Sequence, residues 1–179
     1  FRFKGNKKLP KSPCIIVANH RCAIDGFLIT YNFSRKDNKD IFFFAKEKHW
    51  RSKIAQFFAR KNNIILMDIN KNVRQSLQEM YAVLEKGKNI VIFPEGTRSK
   101  DNKMKKFKDT FAILSKELNI PIVPIAIAGS ESACYGSSII PKFRKKIDIE
   151  VLDPIMPDSN QSVESLRDKV AKKIEKCLS

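Results

Sequence analysis

Short apolar runs recur along the chain: CIIVA (14–18), IFFFA (41–45), NIILM (63–67), NIVIF (89–93), IVPIAI (122–127) and IDIEV (147–151). The first five are continuous rather than alternating, which predicts strands buried on both faces, as in a parallel sheet. The sixth alternates Ile147, Ile149 and Val151 with acids and is read as an edge strand. Between the runs, apolar residues take helical spacing. Val73, Leu77, Met80, Tyr81 and Leu84 form a stripe that stops before Gly87, a residue suited to the C′ position. Phe107, Phe111, Leu114 and Leu118 form a second stripe. Val163, Leu166, Val170 and Ile174 form a third, with Ser162 as its N-cap. Strands alternating with helices predict a single-domain α/β fold, a mostly parallel sheet flanked by helices on both faces. No internal repeat, low-complexity linker or domain boundary interrupts the 179 residues.

Composition adds one sharp feature. The apolar share of 42% and charged share of 30% are ordinary, but 35 Lys and Arg against 19 Asp and Glu leave a net charge of +16. Such an excess implies an anionic partner: phosphate, nucleic acid or an acidic membrane surface. The four cysteines, Cys14, Cys22, Cys134 and Cys177, show no CxxC spacing, which favours unpaired thiols over disulfides or a zinc site. The longest apolar run, IPIVPIAIA (120–128), falls short of the roughly 20 residues that span a bilayer. The start, FRFKGNKKLPK, has neither a signal-peptide shape nor an initiating Met, and suggests a trimmed stretch of a longer chain.

In open parallel sheets, ligands sit outside the carboxyl ends of the strands. Two such ends carry unusual residues. In IIVANHRCAIDGFLI, His20 follows the strand and Asp25 opens the helical stretch. In a straight helix the two would diverge by about 140°; across a strand-to-helix turn they can meet. A carboxylate on one imidazole nitrogen would fix the tautomer and leave the other nitrogen as a general base. The alternative is Asp25 as a helix N-cap and His20 as a packed loop histidine. In NIVIFPEGTRSK, Pro94 ends the strand, Gly96 permits close backbone approach, and Arg98 offers a planar fork for a phosphate.

Together these stretches resemble the glycerolipid acyltransferases, the PlsC-like family that contains the lysophosphatidate acyltransferases. NHRCAID (19–25) carries the family's HxxxxD motif, FPEGTRS (93–99) its third block, IVPIAI (122–127) its fourth, and GNKKLP (5–10) the lead-in to the first strand. The resemblance runs from Gly5 to about Gly129 and implies one acyltransferase domain across residues 1–179. It implies transfer of an acyl group from acyl-CoA or acyl carrier protein to the free hydroxyl of lysophosphatidate, with His20 as general base and Asp25 orienting it. It assigns the acceptor's phosphate and glycerol to Glu95, Gly96, Thr97 and Arg98; Asp68, kept from the family's second block, and Lys46 are further candidates for substrate binding. Val123 and Pro124 would line the acyl or thioester site, although their apolar character fits core packing equally well. No metal or cofactor is implied. The expected setting is the cytoplasmic face of a membrane, with peripheral attachment to its anionic surface.

Three positions depart from the family pattern. In NIILMDIN (63–70), Asn63 replaces a glycine and Ile69 stands where the family has an arginine for the acceptor phosphate. Losing such a contact costs about 1.5–3 kcal/mol unless a neighbour substitutes; Lys46, Lys61 and Lys71 are candidates. The change also fits another acceptor, such as lysophosphatidylethanolamine, in a domain fused to an acyl-activating one. Cys22 replaces a serine, and Thr110 a glycine. The lysines of SKDNKMKKFK (99–108) form either a solvated loop or a membrane-facing patch, with Met104 and Phe107 dipping between headgroups. RSKIAQFFARKN (51–62) reads as a helix packed on the sheet or touching a membrane. A non-catalytic lipid- or nucleic-acid-binding module is the rival of another class. Nucleic acid would explain +16 but neither motif, so no nucleic-acid partner is expected.

Overall fold

The computed structural model describes residues 2–5, 8–10, 13–46, 52–67, 73–98, 104–133 and 146–178. In chain order the elements are β1 (Arg2–Gly5), β2 (Ile15–Ala18), α1 (Asp25–Asn32), α2 (Arg35–Asn38), β3 (Ile41–Lys46), α3 (Lys53–Lys61), β4 (Ile64–Met67) and α4 (Val73–Glu85). They continue with β5 (Asn89–Ile92), α5 (Thr110–Leu118), β6 (Ile122–Ala128), α6 (Ser130–Ala133), β7 (Asp148–Val151) and α7 (Val163–Leu178).

The continuous apolar runs at β2, β5 and β6 become the middle of the sheet, whereas NIILM becomes β4, an edge strand whose residues are all partly exposed and not buried on both faces as expected. The described strands form one sheet in the order β1-β7-β6-β2-β5-β3-β4. All neighbours are parallel except β6 and β7. Every residue of β2 and β5 is buried, because helices cover both sides. Ile15, Val17, Ile90 and Ile92 face α4, α5 and α7 through Leu84, Phe111, Leu166 and Val170. Ile16, Ala18 and Val91 face α1 through Leu28 and Ile29. Each such Ile, Val, Leu or Phe side chain contributes about 1.5–3 kcal/mol by leaving water, so the sheet centre is strongly fixed.

Local signals hold where they rest on capping chemistry. Gly87 has φ of +73° and donates its N–H to the Leu84 carbonyl, ending α4. The Ser162 hydroxyl accepts from the Ser165 N–H at the start of α7. Asn63 takes φ of +54°, a left-handed conformation that asparagine tolerates better than most residues; its side chain donates to the Lys39 carbonyl at 3.0 Å. The conformation explains how an asparagine serves where the family carries glycine.

Three further expectations are corrected. The run at 147–151 is not the edge, because Arg2–Gly5 pairs outside it in parallel. Its alternation reports cover on one face: Ile149 and Val151 are buried, while Asp148 and Glu150 are partly exposed. The added strand is short and polar, RFKG, and is tied by an Arg2 fork to Asp148 at 2.6 and 2.9 Å. That pairing holds the Asp148 carboxyl below its usual range. Second, α5 begins at Thr110, so Phe107 precedes it and packs edge-on against Phe111 at 6.2 Å. At 3% exposure, Phe107 belongs to the core and is not available to dip into headgroups. Third, Cys14 and Cys177 are free but Cys22 is disulfide-bonded, with its partner outside the described residues. Spacing along the chain carries no record of which thiols meet in space.

Candidate active site

The loops after β2 and β5 leave neighbouring parallel strands for opposite faces of the sheet. One enters α1, the other α5. Diverging loops open a crevice at the strands' carboxyl ends, and the two unusual sequence stretches meet there.

Asp25 is wholly buried. Its Oδ2 accepts from the backbone N–H of Arg21 at 2.7 Å and of Cys22 at 2.8 Å. The same oxygen lies 3.0 Å from His20 Nδ1. A carboxylate only accepts, so Nδ1 carries the proton and Nε2 keeps its lone pair. The His20 ring stacks on Phe93 with centroids 4.2 Å apart, and its side chain retains 22% exposure. One nitrogen is therefore fixed and the ring is held, while the crevice keeps access to it. Asp25 lies inside the first turn of α1, and Ile24, at the N-cap, makes no side-chain cap bond. The carboxylate thus serves the loop and the imidazole together.

Glu95 is 6% exposed. Its Oε1 accepts from the His20 N–H at 2.9 Å and its Oε2 from the Lys105 N–H at 2.9 Å. Both oxygens are engaged by the protein, so the geometry makes Glu95 a brace between two loops rather than a group facing the crevice. Gly96 turns the chain with φ of +71° and donates to the Phe93 carbonyl. Thr97 is exposed and Arg98 partly so. Asn19 closes the floor by bonding both the N–H and the carbonyl of Ile127 at 2.8 Å, which locks the end of β2 to β6.

The remaining sequence candidates are placed differently. Lys46 ends β3, paired with Met67, and Asp68 and Lys71 lie outside the described residues. Val123 and Pro124 are buried within β6, opposite Ile16 and Val17. Pro124 sits about 10 Å and Val123 about 13 Å back along the strand from the level of His20 at 3.3 Å per residue, and the structure does not bring them to the crevice. A cavity of about 790 Å³ near Asn32, Asp40 and Asn89 lies at the opposite, amino end of the strands, away from these side chains.

Two residues beside the crevice escaped the sequence reading, Lys105 and Lys108. Lys105 Nζ donates to Thr97 Oγ1 at 3.0 Å and to the Arg98 carbonyl at 3.1 Å. Lys108 donates its backbone N–H to the Pro94 carbonyl. Within a run of lysines no sequence signal separates these two from their neighbours.

The arrangement sets a histidine with one ring nitrogen fixed and the other accessible beside a cationic loop. The chain belongs to the acyltransferase family, whose model matches residues 1–128. The 1-acyl-sn-glycerol-3-phosphate acyltransferase of Limnanthes douglasii is 29% identical over 153 residues, covering 83% of this chain and 52% of its own length. The enzyme of the same name from Cocos nucifera is 28% identical over 146 residues, 80% of this chain and 46% of its own. The solved 1-acyl-sn-glycerophosphate (LPA) acyltransferase PlsC from Thermotoga maritima matches with a TM-score of 0.75 at 25% identity, over 98% of this chain and 69% of that one. The chain thus spans about half the length of the curated relatives it matches.

Proposed function

We propose that the chain is the catalytic domain of an O-acyltransferase that converts lysophosphatidate to phosphatidate with a fatty acyl thioester, acyl-CoA or acyl-carrier protein, as donor. The observation that carries this reading is the His20–Asp25 contact at 3.0 Å, set beside Thr97, Arg98 and the lysines of the same crevice. An alcohol is a poor nucleophile at neutral pH. His20 Nε2 takes the hydroxyl proton as the oxygen attacks the thioester carbonyl. Asp25 stabilises the imidazolium that forms. The tetrahedral intermediate expels the thiolate, which takes the proton back from Nε2, so the base is regenerated and no acyl-enzyme is needed. A positioned base of this kind contributes about 10²–10⁴-fold.

The likeness of the chain to the lysophosphatidate acyltransferases above supports the choice of acceptor. Net charge of +16 supports work at an anionic membrane surface, on its cytoplasmic side, and the two motifs, which nucleic-acid binding would not explain, support a lipid and not a nucleic acid as the anionic partner. Phe27, Tyr31 and Phe57 are exposed, and Lys61 lies over the Phe57 ring, a pairing suited to lipid headgroups. Among the described residues no helix is long and apolar enough to cross a membrane.

The test is thiol release from a long-chain acyl-CoA in detergent, with lysophosphatidate, glycerol 3-phosphate or lysophosphatidylethanolamine as acceptor, beside His20→Ala. Turnover with lysophosphatidate that disappears in the variant is expected. Equal turnover by His20→Ala would remove the histidine from the mechanism, and turnover only with the ethanolamine lipid would replace the acceptor.

A further inference from the structure

The residues on either side of His20 are fastened to the chain that leaves β6. Asn19, one position before it, bonds both the N–H and the carbonyl of Ile127. Arg21, one position after it, carries its guanidinium to Glu131, with Nη1 3.5 Å from Oε1. Between these two points the chain turns at Gly129, which has φ of +84° and where a Cβ would stand 2.3 Å from the Lys146 carbonyl oxygen. The turn leads into α6, and Glu131 in its first turn meets Arg21.

This ion pair is poorly suited to a merely stabilising role. The Arg21 side chain is 9% exposed, and a guanidinium withdrawn that far from water needs a counter-charge. Yet 3.5 Å is long for a charge-assisted hydrogen bond, and Glu131 Oε2 is buried with no hydrogen-bond partner among the described residues. Such a pair offsets little of its own desolvation, so its worth lies in geometry. What it fixes is the backbone at position 21. The Arg21 N–H donates to Asp25 Oδ2 at 2.7 Å, beside the Cys22 N–H at 2.8 Å and His20 Nδ1 at 3.0 Å. Asp25 Oδ1 has no hydrogen-bond partner among the described residues, so these contacts of the carboxylate all pass through Oδ2. Displacing residue 21 therefore displaces the oxygen that holds the imidazole.

We propose that Glu131 is a positioning residue for His20: through Arg21 it holds the His20 loop against Asp25, so that Nε2 faces the hydroxyl it deprotonates. The inference rests on the acyltransferase reading above and extends the machinery that orients the base to α6.

The test is a double-mutant cycle on the whole chain, with Arg21→Gln, Glu131→Gln and both together, in the thiol-release assay with lysophosphatidate. Glu164→Gln, an exposed acid in the first turn of α7, controls for lost negative charge. Glu131→Gln is expected to lower kcat about tenfold, within the 10²-fold that a displacement of about 1 Å can cause. KM for the acceptor and for acyl-CoA stays within about twofold, because Glu131 acts through Arg21 and not on substrate. The double variant is expected to be no slower than Arg21→Gln, the non-additivity of two residues that act as a unit. Unchanged kcat in Glu131→Gln would overturn the inference, as would additive losses. A raised KM for either substrate at unchanged kcat would also overturn it, by making the pair a binding group.

Hydrogen exchange at the Arg21 and Cys22 amides reads position without turnover, because both N–H groups are bonded to Asp25. Glu131→Gln is expected to speed exchange there about tenfold, while amides of β5 and β6 keep their wild-type rates. That local loss supports the inference even if no acceptor is acylated, an outcome that would sink the acyltransferase reading alone. Wild-type protection at both amides would sink the inference itself. A uniform loss across the sheet would do the same, since the pair would then act on stability and not on the loop.

Discussion

Replacing Glu95 by Gln tests whether this carboxylate braces the site or touches substrate. The wild-type side chain accepts two backbone N–H bonds, each at 2.9 Å, from His20 and Lys105. Gln has the same shape, but one of its two terminal atoms is an NH2 donor. One of the two N–H groups therefore meets a donor and is left unsatisfied at a position that is 6% exposed. An orphaned buried donor costs about 1–3 kcal/mol, and the lost bond to a charged acceptor falls in the same range. A total near 2 kcal/mol is a large part of the roughly 5–15 kcal/mol that holds such a domain together. Whichever N–H is orphaned, the brace between the His20 loop and the Lys105 loop is weakened, and a shift of about 1 Å in a reacting group can cost 10²-fold in rate. Urea unfolding combined with thiol-release kinetics reads both effects. Glu95→Gln is expected to lower the unfolding midpoint and reduce kcat, with little change in acceptor KM. A variant of wild-type stability whose only defect is a raised acceptor KM would refute the brace and return Glu95 to the substrate.

Other outcomes follow from the same geometry. Asp25→Asn puts an amide against the Arg21 and Cys22 N–H groups and His20 Nδ1, so turnover is expected to fall by about 10²–10⁴-fold together with thermal stability; retained activity would remove Asp25 from the mechanism. Gly87→Ala meets nothing within 4 Å, whereas Gly129→Ala places a Cβ 2.3 Å from the Lys146 carbonyl oxygen, both at positive φ. The first is expected to cost about 1 kcal/mol from backbone conformation alone and the second clearly more, with equal urea midpoints contradicting the packing at the end of β6. Burial, with Asp37 nearby, pushes the Cys14 thiol from 9.0 up to about 12. Its protonated form is therefore favoured by folding, and the stability it contributes is full below pH 9 and fades as pH rises toward 12. Native protein at pH 8 is expected to alkylate at Cys177 and not at Cys14 until urea unfolds it, and early labelling of Cys14 would show that the β2 end of the core opens.

Periodicity and capping chemistry suffice for the interior of this fold, since a strand buried on both faces needs apolar residues throughout and a helix end needs its cap. The runs that became β2, β5 and β6 could hardly do anything else, and Gly87 and Ser162 act through neighbours three residues away. The polar strand at Arg2–Gly5 was hidden because its stability comes from pairing with β7 and from Asp148, 146 residues along the chain. Phe107 shares the spacing of a helix, yet the N–H groups beside it at Lys105 and Lys108 bond to Glu95 and Pro94 instead of forming a helical turn.

The site divides in the same way. The sequence alone determined the α/β class, the candidate pair His20 and Asp25, and the cationic turn at Arg98, because residue type and position at a strand end are local properties. Only the tertiary structure decided that Glu95 faces inward as a brace and that Val123 and Pro124 stay within the sheet. It also brought two lysines from a run of many to the crevice. The reason is physical: which side chain a carboxylate or an ammonium meets depends on loops converging from strands 75 residues apart, and no local pattern encodes that distance.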